Sequence, residues 1–139
     1  MTEVFVDTAY LVALARRQDQ WHNTAVAARN RLGGVPLVTT DEVLTEFLTA
    51  MSKAGPGLRQ DAAGTIREVL EAGAMRVVAQ THQSFLDGLD RYGRRLDKGY
   101  SLQDCISMNV MEAEGITEIL TSDHNFEQEG FTILMKQDG

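Results

Sequence analysis

Four carboxylate side chains lie at positions where acids could bind divalent cations: Asp7, Glu46, Asp104 and Asp123. Asp7 directly follows the apolar run at 4–6, and Asp123 comes shortly after the apolar pair at 119–120. Carboxylate oxygens are hard ligands, which Mg²⁺ and Mn²⁺ prefer. Two such ions held a few ångströms apart can activate a water and stabilise the leaving oxygen of a phosphodiester. The four acids therefore indicate metal-assisted phosphodiester chemistry.

Glu46 and Asp104 both fall within predicted helices. The helix that begins at Ser101 is apolar on two faces, which is typical of a helix buried between layers. Asp104, in its first turn, would then be partly desolvated and would need a partner. At about 100° per residue, Glu46 lies at the edge of an inward-facing stripe. That predicted stripe comprises Val43, Phe47, Ala50 and Met51.

Each acid also has an ordinary structural interpretation. Asp7 and Asp123 could cap the helical segments that follow them, and Ser101 with Asp104 resembles a capping box. Glu46 alone could be a simple flank residue. Four acids at one end of a sheet would repel one another, however, and without a cation some would have raised pKa values. Taken together, the four favour a metal site over four unrelated caps.

The elements that would position these acids alternate between short apolar strands and longer helices. The predicted strands span 4–6, 35–38, 75–79, 119–120 and 131–134. The predicted helices span 8 to about 18, 22–32, about 41–53, 58–72, 81–95 and 101–114. This alternation predicts a single α/β domain over 1–139 with a mainly parallel sheet. In such sheets, binding sites lie beyond the carboxyl ends of the strands.

Composition and charge restrict the class of protein. A net charge of −7 over 139 residues argues against a nucleic-acid partner unless bound cations offset the acids. The single cysteine, Cys105, cannot form an internal disulfide and suits a reducing cytoplasm. The acidic start is unlike a signal peptide, and the longest apolar run, 9–15, is far short of the roughly 20 residues that span a bilayer. We expect a soluble cytoplasmic protein without a membrane association.

Four segments, in order along nearly the whole chain, resemble the PIN-domain family, with the closest likeness to VapC-type toxins of bacterial toxin–antitoxin pairs. They are Val4–Thr8, Val43–Glu46, Tyr100–Cys105 and Thr121–Phe126. The resemblance implies a three-layer α/β/α sandwich and an endoribonuclease that depends on Mg²⁺ or Mn²⁺. It makes Asp7 and Asp104 the principal metal ligands, and Glu46 and Asp123 the acids that complete the shell or orient water.

The resemblance also implies supporting residues and partners. Thr8 and Ser101 match small hydroxyl positions beside the ligands. The implied substrate is transfer, ribosomal or messenger RNA, and an antitoxin protein would insert a segment into the acidic site. A homodimer is also implied, for which the apolar first and third helices could supply the surface.

Basic residues before the Asp104 helix could hold RNA phosphates at the mouth of the site, with a solvated helix face as the alternative. They are Arg91, Arg94, Arg95 and Lys98. A non-catalytic PIN-like module that binds RNA or protein remains the main alternative function. A receiver-like phosphoacceptor would need paired acids near the first strand, and a flap nuclease would need additional DNA-binding elements. We expect Cys105 to be a packed thiol and His124 to be a surface residue.

Overall fold

A five-stranded parallel sheet forms the centre of the computed structural model, which describes residues 2–137. Its order is β3-β2-β1-β4-β5, and every recorded strand pairing is parallel. In chain order, the strands are β1 (Val4–Val6), β2 (Leu37–Thr40), β3 (Arg76–Val78), β4 (Glu118–Leu120) and β5 (Thr132–Ile133). The sequence-based prediction of an α/β fold with a mainly parallel sheet is confirmed.

Helices connect the strands and form the outer layers of the sandwich. They are α1 (Thr8–Ala15), α2 (His22–Leu32), α3 (Asp41–Met51), α4 (Pro56–Ala72), α5 (His82–Arg94), α6 (Leu102–Glu114) and α7 (Asn125–Gln128). Helix α1 packs against α2 and α3, while α5 packs against α6. No helix within residues 2–137 combines the length and the apolar character needed to cross a bilayer.

The order of the strands reverses at β1. The chain proceeds from β1 outward to β2 and β3, and then returns to place β4 and β5 on the other side of β1. Val6 and Leu120 are paired at the carboxyl ends of β1 and β4. A crevice is expected beyond the strand ends at such a switch point. Asp7 and Asp123 follow these two strands and therefore lie at this edge of the sheet.

Helix ends are specified by local signals, although α4 begins at Pro56 rather than at the predicted position 58. Helix α6 begins at a capping box in which Ser101 and Asp104 exchange hydrogen bonds, and it ends at Gly115 with φ of +70°. Helix α4 has Pro56 at its first turn and Gly73 at its carboxyl end, with φ of +64°. The left-handed conformation at Gly73 and Gly115 is strained for residues with a Cβ atom, which is why glycine ends these helices.

The core lies on both faces of the sheet. All three residues of β1 are buried, which is expected of a central strand covered by helices on both sides. The largest fully buried side chains come from β1, β4 and the helices around them, and include Phe5, Phe47, Phe126, Met51, Met108, Met111, Ile119 and Leu120. Cys105 is also fully buried, so the predicted packed thiol is confirmed.

Several predicted bounds differ from the structure. Helix α1 ends at Ala15 rather than near Gln18, because Arg16 has an extended backbone. Ala50, predicted to face inward from α3, is exposed; Leu44 is buried instead. The four-residue helix α7 was anticipated only as a helical segment after Asp123, without bounds.

The apolar residues of α1 and α3 mostly serve the protein's own core. Tyr10, Leu11 and Ala13 of α1 are buried, as are Val43, Leu44, Phe47 and Met51 of α3. Exposed large apolar side chains are instead concentrated on and just after α5: Phe85, Leu86, Leu89, Tyr92 and Leu96. The first and third helices, expected as a dimer surface, therefore offer less free apolar area than α5.

Candidate active site

Asp7 is a buried carboxylate at the end of the central strand. Its side chain is only 6 % exposed, and its Oδ2 accepts a hydrogen bond of 2.8 Å from the Thr121 hydroxyl. Asp7 occupies the N-cap position of α1, yet its side chain makes no capping hydrogen bond. The capping interpretation therefore does not explain why an acid is buried here.

Thr121 connects two of the four acids. Its hydroxyl donates to Asp7 and accepts a hydrogen bond of 3.1 Å from the backbone N–H of Asp123. Both the donor and an acceptor site of the hydroxyl are therefore used, in a position without solvent exposure. Sequence reasoning did not single out Thr121 as a site residue. The available signal was a hydroxyl residue directly after β4 and two positions before Asp123.

The carboxylates of Asp123 and Asp104 each accept a hydrogen bond from a backbone N–H group of a nearby residue. Asp123 Oδ1 accepts a hydrogen bond of 2.9 Å from the Asn125 backbone N–H, which stabilises the turn into α7. Asp104 Oδ2 accepts one of 3.1 Å from the Ser101 backbone N–H, and the Ser101 hydroxyl accepts from Asp104 N–H at 2.9 Å. The capping interpretation is thus correct for Asp104. Asp123 precedes His124, the N-cap residue of α7, and its carboxylate is held by the Asn125 backbone N–H.

Glu46 approaches the same region from α3. It lies between Val43 and Phe47, which are buried, and its own side chain is exposed. The Thr40 hydroxyl caps α3 by accepting from the Val43 backbone N–H at 3.1 Å, and α3 starts directly after β2. The first turns of α3 therefore start at the same edge of the sheet as Asp7.

The pKa directions place the four acids in one electrostatic neighbourhood. The pKa of Asp7 is raised to about 7, mainly by burial and to a lesser extent by the negative charges of Asp104 and Glu46, while the Thr121 hydrogen bond lowers it. Burial also raises the pKa of Asp104, and the charges of Asp123 and Glu46 add to the increase. A nearby negative charge raises the pKa of a carboxyl because it disfavours the ionised form, so Asp7 and Asp104 each experience repulsion from neighbouring acids.

The four carboxylates are suitable ligands for a divalent cation, although the described residues do not form a complete metal-binding site. Within residues 2–137, no group of three or more His, Cys, Asp or Glu side chains converges closely enough to hold a metal ion. Mg²⁺ is commonly bound through one or two carboxylates, with waters and substrate phosphates completing its shell. The Thr8 hydroxyl, buried beside Asp7, has no hydrogen-bond partner among the described residues. A hydrated cation at the acids would supply the missing partner and the positive charge.

The basic residues near the site differ in their exposure to solvent and in their ion-pair partners. Arg91 is only 4 % exposed and pairs with Glu112 and Glu129, so it cannot serve as an exposed phosphate contact. Arg95 is partly exposed and pairs with Glu129 at 3.1 Å. Arg94 is exposed and pairs with Asp90 at 3.0 Å, an interaction that is worth little at a surface.

His124 is exposed and pairs with Glu127 on its own helical turn. The prediction of a surface role for His124 is confirmed by this position.

A family model describes most of the chain. The PIN domain model matches residues 4–131, which include all four acids. No curated protein matches the chain.

Solved structures share the fold over nearly their whole length. VapC20 of Mycobacterium tuberculosis, a toxin that cleaves the sarcin-ricin loop, is 26 % identical with a TM-score of 0.83, covering 93 % of this chain and 96 % of that one. VapBC2 of Rickettsia felis, bound to a DNA fragment from its promoter, is 11 % identical with a TM-score of 0.68, covering 95 % and 97 %. The Neisseria gonorrhoeae structure named FitAcB is 14 % identical with a TM-score of 0.64, covering 94 % and 96 %. The last two likenesses concern the fold alone.

Proposed function

The chain belongs to the PIN-domain family, and on that premise we propose that it is an endoribonuclease dependent on Mg²⁺ or Mn²⁺, the toxin of a VapBC-type pair. One observation carries the proposal. The buried carboxylate of Asp7 lies at the switch point of the sheet, and its pKa is raised mainly by burial and in part by the charges of Asp104 and Glu46. The pKa of Asp104 is likewise raised mainly by burial and in part by the charges of Asp123 and Glu46. Burying the carboxylate of Asp7 lowers the stability of the fold unless a bound group compensates for the lost hydration. The likeness to an RNA-cleaving toxin supports the choice of RNA as the substrate.

Each acid has a distinct role in this proposal. Asp7 and Asp104 are the principal metal ligands, while Glu46 and Asp123 complete the shell or orient the attacking water. When bound, the cation would activate water and neutralise charge on the phosphate during in-line displacement. Thr121 holds the Asp7 carboxylate through its 2.8 Å hydrogen bond, and the Ser101 backbone holds that of Asp104. Thr8 lies beside Asp7 as a second hydroxyl near the ligands.

RNA phosphates would be bound by Arg94 and Arg95. Arg95 and Lys98 line a cleft with Tyr92 and Tyr100, adjacent to the loop that leads to Asp104. Arg94 can exchange its exposed pair with Asp90 for a phosphate at little cost. Replacing Arg94 by alanine should make the salt dependence of RNA binding shallower, and an unchanged slope would remove this residue from the proposal.

Two protein partners belong to the proposal: an antitoxin and a second copy of the chain. An antitoxin would place a basic side chain among the four acids, because an Arg–carboxylate contact is charge-assisted and can be bidentate. A second copy of the chain would complete a homodimer, with the exposed apolar residues of α5 as its surface. We place the protein in the cytoplasm, where RNA and an antitoxin would be available.

The proposal is tested by incubating the purified protein with total bacterial RNA in the presence of Mg²⁺, Mn²⁺ or EDTA. We expect discrete fragments that require the metal and disappear with Asp7→Asn. Asp61→Asn is the matched control, since Asp61 is an exposed acid on α4 outside the four. Sequencing the fragment ends would identify the cleaved RNA.

Two results would contradict the proposal. Cleavage that persists with Asp7→Asn would indicate a contaminating nuclease or another site. A wild-type protein that neither cleaves RNA nor changes its melting temperature with millimolar Mg²⁺ or Mn²⁺ would favour the non-catalytic binding module, because a ligand of the native state raises the melting temperature.

A further inference from the structure

A buried ion-pair network lies next to the acids without including any of them. Its central residue is Glu129, directly after α7, whose side chain is 10 % exposed. Glu129 Oε1 accepts from Arg91, in the last turn of α5, at 2.7 Å and from Arg95, directly after α5, at 3.1 Å. Glu129 Oε2 accepts from the hydroxyl of the buried Tyr100 at 3.2 Å. One carboxylate thus uses both oxygens to join three chain segments.

The network is anchored to α6 as well. The Arg91 guanidinium also donates to Glu112 at 2.9 Å and to Asn109 Oδ1 at 3.1 Å. Burying the Arg91 guanidinium is favourable only with such partners, because a buried charge must be paired and hydrogen-bonded. The network therefore has a defined geometry.

Two of the joined segments carry acids of the site. Tyr100 immediately precedes Ser101, whose capping box fixes Asp104. Glu129 ends the short turn of helix that begins at Asn125, whose backbone N–H is bound by Asp123. The Tyr100–Glu129 hydrogen bond thus joins the segment that carries Asp104 to the segment that carries Asp123. The charge of Asp123 adds to the effect of burial in raising the pKa of Asp104.

We propose that Tyr100 and Glu129 are positioning residues that set the separation of Asp104 and Asp123 for binding of the divalent cation. This inference rests on the proposed function. The physical basis is preorganisation: ligands held at the required spacing lose less conformational entropy when the cation binds. The Tyr100 hydroxyl remains the donor over the working pH range, because burial and the neighbouring Glu129 raise its pKa to about 12.

The test measures Mn²⁺ binding to the purified protein by electron paramagnetic resonance, in parallel with RNA cleavage over a range of Mn²⁺ concentrations. Tyr100→Phe removes only the hydroxyl and keeps the buried ring. Glu129→Gln removes the carboxylate charge at nearly constant volume, which weakens the hydrogen bond from Tyr100 and also the ion pairs with Arg91 and Arg95. Tyr10→Phe is the matched control, since Tyr10 is another buried tyrosine and lies outside the network.

We expect Tyr100→Phe to weaken Mn²⁺ binding by about tenfold, in the range seen when groups that orient metal ligands are removed. Excess Mn²⁺ should restore its cleavage rate, whereas a general loss of folding would not respond to the metal. Glu129→Gln should act in the same direction. The effect of the double variant should be smaller than the sum of the two single effects, because both changes weaken the Tyr100–Glu129 hydrogen bond while Glu129→Gln also weakens the ion pairs with Arg91 and Arg95. Tyr10→Phe should behave as the wild type.

The inference would be overturned by Tyr100→Phe and Glu129→Gln proteins that bind Mn²⁺ as tightly as the wild type, while the proposed function would stand. If the variants had lower melting temperatures but unchanged Mn²⁺ affinity, the network would stabilise the fold without positioning the ligands. That result would also overturn the inference. A wild-type protein that neither binds Mn²⁺ nor cleaves RNA would overturn both the inference and the proposed function.

Discussion

At the scale of single residues, Asp7 is the acid whose environment differs most from water. The fold buries it at the end of β1 and provides one side-chain hydrogen-bond donor, the Thr121 hydroxyl. This donor lowers the pKa of Asp7, but the effect of burial is larger and the pKa rises to about 7. Near neutral pH the metal-free protein therefore holds a proton on this carboxyl that an exposed aspartate would have lost.

Without metal, the protein should become less stable as the pH rises from about 4 to 7. In this range the unfolded chain has lost the Asp7 proton, since its pKa is near 3.8, while the folded protein retains it. Folding then binds a proton, so the free energy of unfolding falls with pH and levels off above about 7. The cost is a few kcal/mol, since each pKa unit corresponds to about 1.4 kcal/mol. Urea unfolding in the presence of EDTA at several pH values would measure this change in the free energy of unfolding.

Asp7→Asn should remove most of this pH dependence. The amide oxygen of asparagine can still accept from the Thr121 hydroxyl, so the hydrogen bond need not be lost. The free energy of unfolding of the variant should equal that of the wild type near pH 4 and exceed it near pH 8. Mg²⁺ should stabilise the wild type but not the variant. A wild type whose stability is constant between pH 4 and 8 would contradict the burial of an uncompensated acid.

The sequence identified individual acids more readily than their supporting contacts. Asp7, Glu46, Asp104 and Asp123 could be selected because each occupies a recognisable position beside a strand or in a helical turn. Thr121 was not selected, because its contact with Asp7 joins residues 114 positions apart. Arg91 was assigned to the solvent or to RNA, because its partners Glu112 and Glu129 lie 21 and 38 positions away. Contacts of that kind depend on strand order and helix packing.

At the scale of elements, α5 and α6 approach closely at one glycine. A Cβ atom at Gly88 would lie 2.5 Å from Ile106 Cγ1, and the Ile106 side chain is itself buried. Gly88→Ala should therefore destabilise the protein by about 1–3 kcal/mol, the usual cost of overpacking. The gain of about 1 kcal/mol in helix propensity only partly offsets this cost. Thermal or urea unfolding would measure the difference.

Gly64→Ala supplies the matched control, because Gly64 lies inside α4 and a Cβ atom there would have no neighbour within 4 Å. It should be neutral or slightly stabilising. If Gly88→Ala were also stabilising, Ile106 would have moved aside at little cost, and the close packing of α5 on α6 would not constrain this position.

Element types could be predicted because the periodicity of apolar residues and the capping residues are local signals. The predicted helices at 22–32 and 101–114 correspond to α2 and α6 with nearly the observed bounds. Helix α1 was extended past Ala15 because Arg16 and Gln18 continue a helical pattern without a glycine or proline to end it. The order of the strands was not predicted, because pairing in a parallel sheet depends on long-range packing.

At the scale of the whole molecule, the net charge of −7 opposes self-association, whereas α5 favours it. Phe85, Leu89 and Tyr92 are spaced at helical intervals on α5 and are all exposed, and the exposed Leu96 follows the end of the helix. Asp87 and Asp90 lie beside this stripe on α5, Arg94 lies at the end of the helix, and the oppositely charged Asp97 and Lys98 follow it. A second copy related by a twofold axis would pair the helices antiparallel, so that Arg94 of each copy faces the acids of the other.

The exposed apolar stripe on α5 predicts a dimer that a single charge on the stripe disrupts. Leu89 is 49 % exposed at the centre of the stripe, and Leu89→Glu would place a carboxylate against its own twofold-related copy, where neither charge is compensated. We expect sedimentation velocity to give a dimer for the wild type and a monomer for this variant. Leu70→Glu is the control, because Leu70 is 57 % exposed but lies on α4, so it should remain dimeric. A monomeric wild type, or dissociation caused by Leu70→Glu alone, would assign the α5 stripe to another partner, such as the antitoxin, and would leave the four acids unaffected.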